Sequence, residues 1–321
     1  MFQSFWCGDS LSPYEVACMR SFVDNGHRFV LYTYQKDLRV PEGVERRDAA
    51  ALIEPEAYFT YGGAAAGSHA LFSNLFRYKL LTDRGGWWVD TDVVCLSHEI
   101  PCFEIFAAFE DTGRINGAVL RLPKGHPVAR NALHKSQVVR ERAQWGELGP
   151  ELVTELFETH GLASFVQPMP VCYPIHYTEA IDLLRPSRTH VLRERVRGSL
   201  FLHLWNEMFR LEQVDKMKLP PAGSLLREIF DRHPCEAWNG EYGRDDFEKP
   251  RVVNELEATV QKLTEQSTSL AAELARERDA LASERDALVH SRSWRYTRPF
   301  RTLRRFAGRR KMCCLPPNDR T

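Results

Sequence analysis

The sequence predicts an α/β fold, a Rossmann-like mixed sheet flanked by helices, with a C-terminal helical coiled-coil extension. Three observations predict it. The chain opens with a β-α-β pattern, short apolar strands alternate with helix-like runs as far as about residue 245, and a heptad pattern follows over 253–289. With 321 residues, 43% hydrophobic and 11% aromatic, the chain can bury a real core, which excludes an intrinsically disordered protein.

The elements follow in order. Gln3 to Cys7 reads as the first strand. Ser12-Pro13-Tyr14-Glu15 then places an N-cap serine before proline at the first helical position and glutamate at the third, a capping box. This helix runs to Gly26, and residues 28–34 (RFVLYTY) form the second strand. Residues 68–84 (SHALFSNLFRYKLLTDR) carry a wide apolar stripe and form a helix ended by Gly85-Gly86. Trp87-Trp88-Val89 follows as a short buried strand leading into Asp90. Later strands are expected at 105–109, 118–122 and 200–204, and helices near 127–143, 150–160 and 222–232.

Beyond this 1–245 domain the character changes. Leu256, Val260, Leu263, Leu270, Leu274, Leu281 and Leu288 follow an a/d pattern, with Ser267, Glu277 and Glu284 at the remaining seam positions. Some 37 helical residues would extend about 55 Å, and pairing of two such helices would make a homodimer. Residues 291–311 hold nine Lys/Arg and no acid, interleaved with Trp294, Tyr296, Phe300 and Phe306. Arginine among aromatics suits an anionic membrane surface, with nucleic acid the less favoured occupant. A disordered end is expected at 312–321.

Basic and acidic residues balance at 43 each, so net charge names no partner. Eight cysteines form no CxxC pair and no Cys/His cluster of zinc spacing, which argues against a structural metal and for a reducing compartment. The N-terminus lacks a basic flank and a long apolar stretch, and no window approaches a spanning helix. The expected location is cytoplasmic, peripheral at the inner face of a membrane.

The chemistry is concentrated in Gly85-Gly86-Trp87-Trp88-Val89-Asp90-Thr91-Asp92. On an extended strand, side chains at i and i+2 share a face. Two carboxylates so placed can hold one hard divalent cation, Mn²⁺ or Mg²⁺, and leave oxygen positions open for a diphosphate. The same run also fits the apolar-DxD signature of haloacid-dehalogenase-type phosphatases, in which the first Asp is a nucleophile. Those enzymes usually carry the motif on their first strand, and here only Gly243-Arg244-Asp245-Asp246 imitates their distal acidic motif.

Ser73-Asn74-Leu75-Phe76-Arg77-Tyr78, Leu81 and Gly85 to Asp92 together resemble the DXD-containing sugar-binding region of GT-A glycosyltransferases. By motif the resemblance is to the α-1,4-galactosyltransferase and α-1,4-N-acetylglucosaminyltransferase group, with clostridial glucosylating toxins and yeast mannosyltransferases more distant. Phe5-Trp6-Cys7-Gly8, residues 31–34, Asn116-Gly117, Gly149-Pro150 and His203-Leu204-Trp205-Asn206 extend it over most of residues 1–210.

The resemblance implies a metal-dependent, retaining transferase moving a sugar from a nucleotide donor, UDP above all, to a glycan or lipid-linked acceptor. Asp90 and Asp92 would carry the metal and the catalysis, with His203 a third ligand. Trp6, Asn74, Arg77, Trp88, Trp205 and Asn206 would bind the nucleotide sugar. The related enzymes usually have Asp where Asn74 stands. That difference keeps open a catalytically inactive, membrane-tethered assembly protein.

Individual residues have plainer readings. Trp6 and Trp88 suit a core, Arg77 can snorkel, and His203 alternates with apolar residues as a buried histidine does. Asn116 reads as a turn residue, and Glu110 and Asp111 as an exposed loop pair, although they are the acids to test.

Overall fold

The computed structural model describes residues 1–60, 69–111, 113–144, 146–235, 238–249, 251–291 and 296. It divides into two units, Met1–Pro250 and Arg251–Thr321.

In the first unit, β1 (Phe2–Trp6), α1 (Pro13–Asp24) and β2 (Phe29–Thr33) form the β-α-β opening, followed by β3 (Val44–Asp48). Helix α2 (Ala70–Asp83) leads through Gly85 into β4 (Gly86–Val89), and a turn carries the chain to β5 (Val93–Cys95). A hairpin of β6 (Phe106–Phe109) and β7 (Ile115–Leu122) precedes α3 (Pro127–Val139), α4 (Leu152–Thr159) and β8 (Val166–Gln167). The unit closes with α5 (Thr189–Val196), β9 (Phe201–His203), α6 (Asn206–Leu211) and α7 (Leu225–Arg232).

Seven strands make one mostly parallel sheet in the order β3-β2-β1-β4-β7-β6-β8, and β5 pairs antiparallel with β9 beside it. Strands β1, β2, β3 and β4 run parallel, while β7 is antiparallel to both β4 and β6. The result is a mixed sheet between helical layers. The order reverses at β1, whose two neighbours are β2 and β4. Chains leaving β1 and β4 at that point diverge and leave a crevice at the strands' carboxyl ends.

The alternating pleat fills both faces. Trp87 joins Phe2, Phe22, Phe106 and Phe201 on one side, and Trp88 joins Phe5, Phe72 and Phe76 on the other. At Gly85 the chain adopts φ +67°, and a Cβ there would lie 2.3 Å from the Lys124 backbone nitrogen. Both the turn and the close approach require glycine.

Strand β3 has no counterpart in the sequence reading. Its residues, Val-Glu-Arg-Arg-Asp, lie at the sheet edge with only Val44 buried, so no apolar pattern announces it. The helix expected over 127–143 ends as an α-helix at Val139 and continues as one 3₁₀ turn.

The second unit contains α8 (Arg251–His290), a single helix whose leucines are all exposed. Apart from Ser291 and Tyr296, the basic stretch 291–311 and the end at 312–321 lie outside the described residues. No helix among the described residues is long and apolar enough to cross a membrane.

Candidate active site

A cavity of about 730 Å³ opens at the carboxyl ends of β1 and β4, within the range of small-ligand sites. Trp6, Asn74, Arg77, Trp88, Asp90, Asp92, His203, Trp205 and Asn206 all line it, so every expected site residue converges there.

The two carboxylates reach it differently from the expectation. Asp90 follows β4, and the Val93 amide donates to the Asp90 carbonyl at 3.2 Å, so Asp90-Thr91-Asp92 is a turn and not an extended strand. Val93 then starts β5, whose pairing with β9 sets it opposite His203. Convergence comes from that pairing, which no local spacing can show. The ligand atoms of Asp90, Asp92 and His203 lie within 4.8 Å of one another.

Each member is fixed by its neighbours. Asp90 Oδ1 accepts from Arg77 Nη2 at 2.8 Å and from the Trp88 indole nitrogen at 2.6 Å. Arg77 is buried, with its guanidinium over the Trp88 ring at 5.2 Å. It fits because residue 117 is glycine: a Cβ there would meet Arg77 Nη1 at 2.2 Å. Trp88 is fully buried, with no face exposed to a nucleobase, and its indole orients Asp90.

Asp92 Oδ2 accepts from the Asn206 amide at 2.9 Å and lies 3.2 Å from His203 Nε2. Burial alone would raise the Asp92 carboxyl, but the His203 charge and hydrogen bond, the Asn206 amide and Lys216 outweigh it and hold it at about 2. Burial disfavours the His203 imidazolium, yet Asp92 at its side raises its pKa above 6.5.

Trp205 takes φ +59°, a left-handed conformation uncommon for a bulky residue. Its indole nitrogen donates to the Ile175 carbonyl at 2.9 Å, and its ring packs 4.1 Å from that of His203. The turn directs the Asn206 amide at Asp92. Asn206 Nδ2 donates to Glu15 Oε1 at 3.0 Å, and Glu15 also pairs with Lys216. The capping glutamate of α1 therefore braces the far wall. Trp6 lies half-buried at the end of β1, its indole nitrogen donating to the Ser10 carbonyl at 3.1 Å. Asn74 is buried on α2.

Two sequence readings are corrected. Glu110 is not in an exposed loop: it is 3% exposed and lines the cavity. Arg114 Nε pairs with its Oε1 at 2.7 Å, and Asn116 Nδ2 donates to its Oε2 at 2.6 Å. Asn116 is not a turn residue but a buried member of β7, its Oδ1 accepting from the Ala118 amide at 2.7 Å. The tight β6–β7 hairpin, closed by Glu110 donating its amide to the Arg114 carbonyl, folds the acid back against β7. Asp111 remains outside the lining, paired with Arg114 at 3.2 Å. The Glu-Asp-x-Gly-Arg turn was the available signal for this group.

Two carboxylates and an imidazole at this separation are a donor set suited to a divalent cation such as Mn²⁺ or Mg²⁺. His203 Nδ1 is buried without a hydrogen-bond partner among the described residues, which leaves the ring binding capacity that they do not satisfy.

Residues 121–235 match the family model described as the "Alpha 1,4-glycosyltransferase conserved region". The match takes in His203 to Asn206, while Asp90 and Asp92 lie ahead of it. Among solved structures the chain is similar to PaToxG glycosyltransferase, at 15% identity and a TM-score of 0.39, over 51% of this chain and 70% of that one. It is also similar to the glycosyltransferase GlyE of Streptococcus pneumoniae TIGR4, at 12% identity and a TM-score of 0.36. That likeness covers 73% of this chain but 60% of GlyE, less than two thirds of its length. No curated protein sequence matches the chain. The match to the α-1,4-glycosyltransferase conserved region covers residues 121–235, a little over a third of the chain.

Proposed function

We propose that the chain transfers a sugar, with retention, from a nucleotide-sugar donor (a UDP-sugar) to a glycan or lipid-linked acceptor. The observation that carries this reading is the Asp90, Asp92 and His203 cluster, lining a cavity large enough for a small ligand. A divalent cation held there would neutralise the diphosphate as it departs. The imidazole in the set favours Mn²⁺ over Mg²⁺, which prefers an all-oxygen shell.

The protein's own groups divide the remaining work. Arg77 and the Trp88 indole hold one oxygen of Asp90 in place, leaving the other for the ion. Asn206 and His203 do the same for Asp92. Trp6 offers an aromatic wall to the nucleoside, and Asn74 a neutral amide to the sugar. Glu110 is neutralised by Arg114 and held by Asn116, which suits it to orient a hydroxyl better than to attack carbon. The departing diphosphate then takes the acceptor's proton. A cytoplasmic enzyme touching an anionic membrane through residues 291–311 would meet a lipid-linked acceptor at that surface.

The phosphatase reading is less well supported, because Asp245 and Asp246 do not line the cavity. Nucleotide sugars incubated with Mn²⁺ and enzyme test the proposal. Slow, Mn²⁺-dependent release of UDP without acceptor is expected. Turnover of p-nitrophenyl phosphate without UDP release would overturn it.

A further inference from the structure

Helix α8 carries an apolar stripe with no partner among the described residues of its own unit. Leu256, Leu263, Leu270, Leu274, Leu281 and Leu288 are each between 57% and 62% exposed. Their order within the stripe is uneven. In the first half the leucines hold the d positions, with Val260 and Ser267 at a. In the second half they hold the a positions, with Glu277 and Glu284 at d. Both glutamates are exposed on the single helix.

This switch distinguishes two ways of pairing. In a parallel pair each seam residue faces its own copy, so Glu277 would face Glu277 and Glu284 would face Glu284 within the seam. Like charges in a partly desolvated seam repel. In an antiparallel pair a faces d of the other helix. Leu256 then meets Leu288, Leu263 meets Leu281, and Leu270 meets Leu274. In that register Glu277 faces Ser267 and Glu284 faces Val260, so no glutamate faces another. The sequence of α8 is complementary to its own reverse. We propose that α8 pairs with the α8 of a second copy of this chain as an antiparallel coiled coil, its twofold axis crossing at the level of Ala272.

The rim contributes little either way. Glu273 approaches its own copy near the axis, but at a solvent-exposed position where such contacts are weak. The 40 helical residues span about 60 Å at 1.5 Å each. Antiparallel pairing therefore sets the two Arg251 ends at opposite ends of the coil.

Sedimentation equilibrium of the full chain tests this, with wild type and two variants. Wild type is expected to be a dimer at micromolar concentration, and Leu263→Asp with Leu281→Asp a monomer. Ser267→Arg separates the orientations, since arginine favours helix as serine does not. Facing Glu277 of the second copy, the introduced guanidinium would leave the dimer as tight or tighten it severalfold. In a parallel pair the two introduced arginines would face each other, and the dimer would weaken tenfold or more. A monomeric wild type, a double variant that stays dimeric, or a weakened Ser267→Arg dimer would each overturn the proposal.

Discussion

Gly117 has an ordinary backbone conformation, so alanine there meets no φ penalty, but its Cβ would occupy the space of Arg77 Nη1 at 2.2 Å. Arg77 must then swing out and Asp90 loses one of its two donors. Gly117→Ala should lower UDP-releasing activity about 10- to 100-fold, with a loss of about 1–3 kcal/mol in stability from overpacking. Denaturant unfolding and steady-state kinetics check both; unchanged kinetics would remove Arg77 from the site. Neither effect is legible in Asn-Gly as a dipeptide, because the arginine it admits is forty residues earlier in the chain. Trp88 likewise gives no sequence sign that its indole, and not its ring face, serves the site.

The Asp92–His203 pair determines how the site responds to pH. Asp92 is depressed from 3.8 to about 2, so its contribution to stability is present above 3.8 and disappears as pH falls through about 2. His203 is raised above 6.5, so its contribution is full below 6.5 and is lost as pH rises through the higher folded value. A metal ligand must be neutral imidazole, so the ion must displace the His203 proton. Mn²⁺ affinity should therefore rise with pH, up to roughly tenfold per unit while the imidazolium predominates. Calorimetry in buffers of different ionisation enthalpy should show about one proton released per ion below the folded value. His203→Gln should abolish that release, and a proton count of zero in wild type would exclude His203 as a ligand.

At the scale of elements, α1 shows what sequence can and cannot disclose. Its capping box was readable from Ser12-Pro13-Tyr14-Glu15, and the reciprocal bonds of Ser12 and Glu15 are present. The second occupation of Glu15, as acceptor for Asn206 and Lys216, depends on residues some two hundred positions away. The two roles predict different losses. Ser12→Ala should cost about 1 kcal/mol of stability and leave activity intact. Glu15→Ala should cost more, leave Lys216 unpaired beside a buried wall, and lower activity by loosening Asn206. Equal kinetic effects of the two substitutions would deny Glu15 any part in the site. Strand β3 and the Glu110 group escaped the sequence for complementary reasons: a charged edge strand has no apolar period, and a tight hairpin conceals a buried acid among polar neighbours.

At the scale of the whole molecule, sheet topology converts distant residues into one site. Strand β1 ends at Trp6 and β4 at Val89, just before Asp90, on either side of the point where strand order reverses, and β9 returns His203 beside Asp92 through its pairing with β5. The α/β class, α2 and the aromatic strand before Asp90 were legible because each is a local pattern of apolar residues. The β5–β9 ladder was not: β9 falls within the strand expected at 200–204, but the three-residue β5 carries too little periodicity and its partner lies a hundred residues off. A site assembled this way exists only in the folded chain, so a ligand bridging its walls must stabilise the fold by mass action. UDP with Mn²⁺ at a hundredfold excess over Kd should add about 2.7 kcal/mol, raising Tm by roughly 5 °C or more for a unit of this size. Asp92→Asn should erase most of that shift, and EDTA should do the same to wild type. If UDP shifted Tm equally with EDTA present, the nucleotide would be bound without the ion, and the carboxylate cluster would not be its anchor.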